Sequence, residues 1–343
     1  MTGFWAGVNP PTLPSLTRLE SPRGRHSEMD RTQQLEALIA PLRADTVSGA
    51  AVVGRLAAEV VRRAAVRVQA GSPEELRWAL GEVVVKVMEA QPAMAPLASL
   101  ARDVLHAVED AHDVEDGRHL AIQATQAFRS GVETRAQLVA SRAAALLPDK
   151  GTVATVSSSS TVRTALLHGA KSRDLRVLCL ESRPFNEGQL LAESLSKAGI
   201  AVVYAVDAAA ATLLPDCDMV LLGADSIGDA GVVNKIGSAS LAEPAHRLGV
   251  PVHVLSDETK ILPPGFPQHL KDDRPGEEVW RAPGGVRVWN RYFEALPLEW
   301  VTSVVTETAT LTVAGLDEHR RRIRVPKALA DWMKGHSPGP QSG

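Results

Sequence analysis

The sequence predicts a mixed α/β chain, a helical amino-terminal domain followed by a doubly wound parallel sheet. Two pattern changes carry this reading. From Asp30 to about Leu147, apolar residues recur at helical spacing, as in Leu35, Leu38, Ile39 and Leu42, and again in Leu56, Val60, Val61 and Ala64. After Pro148-Asp149-Lys150-Gly151, short β-rich runs alternate with helical segments, the order that parallel βαβ units produce. A third observation concerns polar residues. Several apolar runs end in a polar cluster, and open α/β sheets bind ligands outside the carboxyl ends of their strands.

The helical half breaks at Asp45 to Gly49, Ala70 to Pro73, Gln91 to Pro96 and Asp113 to Gly117, which leaves about five helices. Ser72 before Pro73 is a cap followed by a residue suited to the first helical position. The strands expected are Thr152 to Val156, Arg176 to Leu180, Ala201 to Val206, Met219 to Leu222 and Val252 to Leu255. The helices between them are expected near Thr161 to Gly169, Glu187 to Ala198 and Ile236 to Leu248. Lys260 to Val286, rich in Pro and Gly, reads as a long mobile loop, and strand and helix patterns return from Phe293 to Gly315. The expected division is a disordered extension over 1–28, the helical domain over 29–147, the sheet domain over 148–330 and a polar tail over 331–343.

At 343 residues the chain has room for two domains, with 45% hydrophobic and 22% charged residues and a net charge of −3. That balance supplies no global attraction to nucleic acid or anionic membrane, so no direct nucleic-acid partner and no membrane are expected. The basic run from His319 to Arg324 reads as a solvated face. Cys179 and Cys217 lie in apolar runs and read as reduced, buried thiols of a cytoplasmic protein. No secretory signal is read at the start, no apolar run reaches bilayer length, and the histidines show no metal spacing, so neither metal nor cofactor is expected.

The strand Met219 to Leu222 runs into Gly223-Ala224-Asp225, where small residues allow a sharp turn and leave a carboxylate at the strand end. Asn234 and Lys235 follow, read as standing immediately before a helix whose amino end favours anions. Together they suit a phosphorylated, hydroxyl-rich ligand; the plain alternative is a turn-capping Asp225 and a solvated Lys235. Ser157, Ser158, Ser159 and Ser160 bring hydroxyls and backbone N–H groups to a helix start, in composition a phosphate nest, although one of them suffices as a cap. Arg183 can grip phosphate in bidentate fashion or pair with Glu181. Asp207 is expected to cap the helix starting at Ala208. In the helical half, Thr46-Val47-Ser48-Gly49-Ala50 permits close approach to a ligand, or simply tight packing.

Taken in order, these motifs resemble one family: the regulatory alpha, beta and delta subunits of translation initiation factor 2B, with the related methylthioribose-1-phosphate and ribose-1,5-bisphosphate isomerases. The strongest matches are Glu181-Ser182-Arg183-Pro184, Gly223-Ala224-Asp225-Ser226-Ile227 and Asn234-Lys235-Ile236-Gly237. Thr46 to Ala50, Gln91-Pro92-Ala93-Met94 and Phe293 to Trp300 extend the resemblance. It implies a helical domain on a Rossmann-like domain and homo-oligomers, dimers or larger, built through the latter. The isomerases open a phosphorylated furanose and move hydrogen between C1 and C2, using a cysteine at the end of the first strand and the Gly-Ala-Asp aspartate. Asp225 and Ser157 are thereby the implied catalytic residues, with Ser157 at or within one residue of the cysteine position and Gln91 in place of a turn arginine. Ser48, Gly49, Ala50, Ser158, Ser159, Ser160, Arg183, Asn234 and Lys235 are the implied substrate and phosphate contacts. A serine hydroxyl is far less acidic than a thiol, which titrates near pH 8.5. The expectation is therefore a protein that binds a phosphorylated sugar or nucleotide, with aldose-ketose isomerisation through Asp225. The alternative is a non-catalytic regulatory or interaction subunit that senses such a metabolite.

Overall fold

The computed structural model describes residues 28–45, 48–268 and 273–336, with the side chains of 28–32 left aside. The extension expected before residue 28, Thr46 and Val47, and the end of the expected tail lie outside the described residues. Two compact units are formed: the described parts of Met1–Val132 with Pro326–Trp332, and Glu133–Val325 with the described part of Met333–Gly343.

The first unit is helical. It contains α1 (Glu28–Ala44), α2 (Ala50–Arg67), α3 (Pro73–Ala90), α4 (Ala95–Ala107) and the first part of α5 (Val114–Ala144). The apolar stripes meet in a core that includes Leu38, Ile39, Leu42, Val53, Val60, Leu76, Leu80, Leu97 and Leu100, all buried. The joints close with side chains. Ser72 accepts a hydrogen bond from Glu75 N at 3.2 Å, and Arg118 donates to Val68 O beyond the end of α2 at 2.9 Å. Gln91 donates to the carbonyls of Leu42 (2.8 Å) and Asp45 (2.6 Å), satisfying the carboxyl end of α1.

The second unit is the α/β part. Its main sheet comprises β1 (Lys150–Val156), β2 (Asp174–Leu180), β3 (Ala201–Ala205), β4 (Met219–Leu222), β7 (Val252–Leu255), β9 (Ser303–Val305) and β10 (Thr310–Leu311). The order is β10-β9-β7-β4-β1-β2-β3, parallel except for β10. Alternation along the strands builds a core on each face. Val153, Val177, Cys179, Met219 and Leu221 pack with α6 (Ser160–Gly169), α7 (Glu187–Lys197) and the end of α5. Ala154, Leu178, Val220 and Leu222 pack on the opposite face with α8 (Ala210–Leu213), α9 (Ser238–Leu248) and α10 (Val313–Arg321). This is the doubly wound, Rossmann-like arrangement. The chain leaves β1 for β2 and β3, then crosses back to β4 on the other side of β1, which makes the β1/β4 boundary the topological switch point.

A second sheet modifies the sequence reading. β5 (Ser226–Gly228), β6 (Gly231–Lys235) and β8 (Phe293–Leu296) form an antiparallel sheet in the order β5-β6-β8. Asn234 and Lys235 therefore end a strand, and α9 begins at Ser238, after Gly237 turns the chain at φ +100°. The segment expected to be a mobile loop is anchored at several described points: Ile261 bridges Ile227, Gln268 donates to Ser226 Oγ at 3.1 Å, and Glu278 accepts from Asn290 at 2.8 Å. Residues 269–272 lie outside the described residues. At the carboxyl end, helix α11 (Lys327–His336) runs into the stretch expected as a tail. Among the described residues no helix is long and apolar enough to cross a membrane.

Candidate functional site

The carboxyl ends of β4, β1 and β2, three adjacent strands, bring Asp225, Ser157 and the Glu181–Arg183 turn to one edge of the sheet. Gly223 keeps the first two ends close. A methyl at Gly223 would lie 2.9 Å from Ser159 Oγ and 3.1 Å from its Cβ, so a side chain there would force Ser159 to shift.

Ser157 sits just past β1 with φ +68°, a left-handed conformation that costs a non-glycine residue about 1 kcal/mol or more. Ser159 caps α6, its hydroxyl accepting from Val162 N at 3.3 Å. Ser160 is the first residue of that helix, and Ser158, between Ser157 and Ser159, is exposed. One serine of the four thus serves as the cap.

Asp225 is anchored by its backbone, N–H to Val233 O at 2.8 Å, and its carboxylate accepts no hydrogen bond from another described residue. Burial raises its pKa above the usual carboxylate range, against the pull of the Lys260 and Lys235 ammonium groups. Lys260 escaped the sequence reading. It lies in a short 3-10 turn (Glu258–Lys260) after β7, and its Nζ donates to Ala224 O at 2.6 Å, next to Asp225. A lone lysine in a Pro-rich segment gives no signal in sequence; only the bridge from Ile261 to Ile227 brings it to the site.

Lys235 is buried rather than solvated. Its Nζ donates to Glu187 Oε1 at 2.7 Å and lies 5.5 Å and 5.3 Å from the ring centres of Phe185 and Tyr292. Asn234 is buried too, its amide donating to Ser238 Oγ at 2.9 Å. The amino end of α9, expected to offer its N–H groups to an anion, is already occupied: Glu294 Oε1 accepts from Gly237 N (2.9 Å) and Ala239 N (2.7 Å). Glu294 sits opposite Asn234 on β8, a pairing invisible until β6 and β8 are known to be neighbours.

Arg183 is exposed, and its guanidinium donates to Val279 O at 2.9 Å rather than pairing with Glu181. The helix cap expected of Asp207 is not formed. Its carboxylate turns to the adjacent strand end and accepts from Ser182 N (2.8 Å) and Arg183 N (2.9 Å). Two charged acceptor bonds to a turn whose Ser182 has φ +62° outweigh one bond at the start of a three-residue 3-10 helix. Ser48, Gly49 and Ala50 belong to the helical unit. Ser48 N donates to Asp45 Oδ1 at 2.9 Å, Gly49 precedes α2 without a side-chain cap, and Ala50 is its first residue. A methyl at Gly49 would meet nothing within 4 Å, so packing alone does not demand glycine there.

The cysteines are elsewhere. Both are free and buried; burial pushes Cys179 up to about 12 and Cys217 up to about 11. Cys217 has an extended backbone and lies between a 3-10 turn (Leu214–Asp216) and β4. Among the described residues no group of three His, Cys, Asp or Glu could hold a metal ion.

The model of the initiation factor 2 subunit family matches residues 46–312. The chain belongs to that family. Among its relatives, the ribose 1,5-bisphosphate isomerase of Thermococcus kodakarensis is 28% identical over 278 residues, covering 76% of this chain and 85% of the relative. The methylthioribose-1-phosphate isomerase of Gemmatimonas aurantiaca is 29% identical over 317 residues, covering 87% and 88%. Of solved family structures, the translation initiation factor eIF-2B of Pyrococcus horikoshii superposes with a TM-score of 0.69 at 25% identity, over 82% of this chain and 98% of that one. The family thus joins isomerases and initiation-factor subunits on one fold.

Proposed function

We propose that the chain binds a phosphorylated pentose at the carboxyl edge of its parallel sheet and interconverts its aldose and ketose forms, with Asp225 as the acid-base group. The observation that carries this reading is the state of Asp225: a carboxyl at the switch point, accepting no hydrogen bond from described residues, raised by burial and faced by two ammonium groups. The isomerase relatives along most of the chain support the substrate class.

One carboxyl group is sufficient for the proton traffic. As the furanose opens, protonated Asp225 delivers its proton to the ring oxygen. The resulting carboxylate takes the proton of O2 while the hydrogen on C2 passes with its electron pair to electron-poor C1. C2 becomes a ketone, C1 a CH2 group, and Asp225 returns to its protonated form. A carboxyl raised above its usual range favours the protonated form that acts as the acid, and Lys260 and Lys235 stabilise the carboxylate between the two transfers. Ser157 contributes a hydroxyl as hydrogen-bond partner, not as a base. Ser158, Ser159, Ser160 and Arg183 are the residues of this unit proposed to hold the phosphate, with homo-oligomers as the working assembly.

The serine at the position implied for the cysteine favours a second reading, a subunit that senses a sugar phosphate without converting it. Proton NMR of ribose 1,5-bisphosphate and methylthioribose 1-phosphate, incubated with wild type and with Asp225→Asn, separates the two. Ketose formation that disappears in the variant is the expected result. Ligand-induced thermal stabilisation without conversion would replace isomerase by sensor.

A further inference from the structure

We propose that Glu294 is a positioning residue for the Asn234-Lys235 pair, acting through the first turn of α9 rather than on a ligand. The helix has its first N–H groups pointing away from its body, and at this edge of a doubly wound sheet such a terminus ordinarily awaits an anion. Here the chain supplies its own. Glu294 Oε1 is bonded to Gly237 N and Ala239 N. Gly237, at φ +100°, allows the chain to turn from β6 into this cradle.

From the cradle a continuous chain of bonds leads to the site. Ser238 Oγ donates to Lys235 O at 2.7 Å and accepts from Asn234 Nδ2 at 2.9 Å, and it is fully buried. Asn234 faces the gap at Gly223, and Lys235 faces Asp225 and Glu187. The β6–β8 register sets Asn234 opposite Glu294, so a single antiparallel pairing holds both ends of the relay. A structural cap would need only the carboxylate and the helix end. The link through Ser238 ties that cap to the backbone carbonyl of Lys235, the residue whose ammonium group acts on Asp225.

The groups that face Asp225 are Lys235 and Lys260, with Glu187 partly neutralising Lys235. If Glu294 holds Lys235 in place, its loss moves one of the two cations and the Asp225 carboxyl titrates higher. The role of Asp225 toward a sugar rests on the reading above, whereas its titration does not require turnover.

The test is a carbon-13 NMR titration of aspartate-labelled full-length protein, with the Asp225 signal assigned by its absence in Asp225→Asn. Wild type is compared with Glu294→Ala, Glu294→Gln and Ser238→Ala. The expected result is an Asp225 midpoint raised by about half a pH unit or more in Glu294→Ala and Ser238→Ala, with the double variant shifted no further than either single one. Glu294→Gln, which keeps an acceptor oxygen, stays near wild type, and added acetate returns Glu294→Ala toward it. Should Glu294→Ala not fold, Ser238→Ala breaks the same relay one step on. An unmoved midpoint in a folded Glu294→Ala or Ser238→Ala protein would overturn the proposal. Absence of sugar-phosphate turnover in wild type would defeat the catalytic reading alone and leave this titration readable.

Discussion

Glu187 Oε1 accepts a 2.7 Å hydrogen bond from Lys235 Nζ, joining the first residue of α7 to the last residue of β6. The lysine side chain is 8% exposed and the glutamate 28%, so breaking the pair from the glutamate side strands a cation among aromatic rings. Glu187→Leu is expected to cost about 3 kcal/mol in urea unfolding, the low end for a buried pair because Glu187 is partly exposed. Glu187→Leu with Lys235→Met recovers at least half of that. A single-variant loss within the range of exposed pairs would show that Lys235 finds another partner.

Asp225 contributes to stability in the opposite sense. Its folded pKa is raised, so between the unfolded carboxylate value and the folded value the native state holds the extra proton, and stability falls as pH rises through that window. Asp225→Asn removes this proton-linked cost. The variant is expected to melt higher than wild type at neutral pH, and to lose the difference as pH drops below the ordinary carboxylate range. A lower melting temperature across the whole pH range would mean the carboxylate is stabilising.

The thiols give a test that needs no substrate. With Cys179 raised to about 12 and Cys217 to about 11, fewer than about one in a hundred of either is thiolate at pH 8. Native protein is expected to resist iodoacetamide, alkylating only as fast as it opens, and its sugar-phosphate chemistry is expected to survive the reagent. Rapid inactivation accompanied by modification of Cys179 would place a thiol in the reaction after all.

Ser157 occupies a left-handed conformation that glycine adopts without penalty. Ser157→Gly is expected to hold or raise stability, by up to about 1 kcal/mol after the added freedom of the unfolded chain is counted. At the same time it lowers kcat for sugar-phosphate conversion severalfold by removing the hydroxyl. Unchanged kcat in this variant would take Ser157 out of the reaction and leave it a backbone position.

Much of the fold was legible because it depends on local pattern. Leu35 to Leu42 repeat at helical spacing, Met219 to Leu222 form an unbroken apolar strand, and both survive as α1 and β4. The second sheet was not legible. β5 is three residues long, and β6 reads into the helix behind it until Gly237 is seen to interrupt the chain. The same loss of long-range information hid half of the site. Asp225 announces itself as a carboxylate after a strand, but Lys260, Glu187 and Glu294 acquire their roles only from partners 36, 48 and more than 50 residues away. Asp207 was misread for a related reason: a local cap was available, and a strand end 25 residues back made the better one.

The pairing of β6 with β8 also governs how the molecule is made. Lys235 and its partner Phe293 are about 60 residues apart, so a ribosome adding 5–20 residues per second leaves β6 waiting roughly 3–12 s for its neighbour. During that interval Val232 and Val233 have β5 on one side and nothing of their own sheet on the other. The part of the chain that carries Asn234 and Lys235 is therefore among the last to be completed during synthesis, and until Phe293 emerges it is an apolar edge for chaperones to shield.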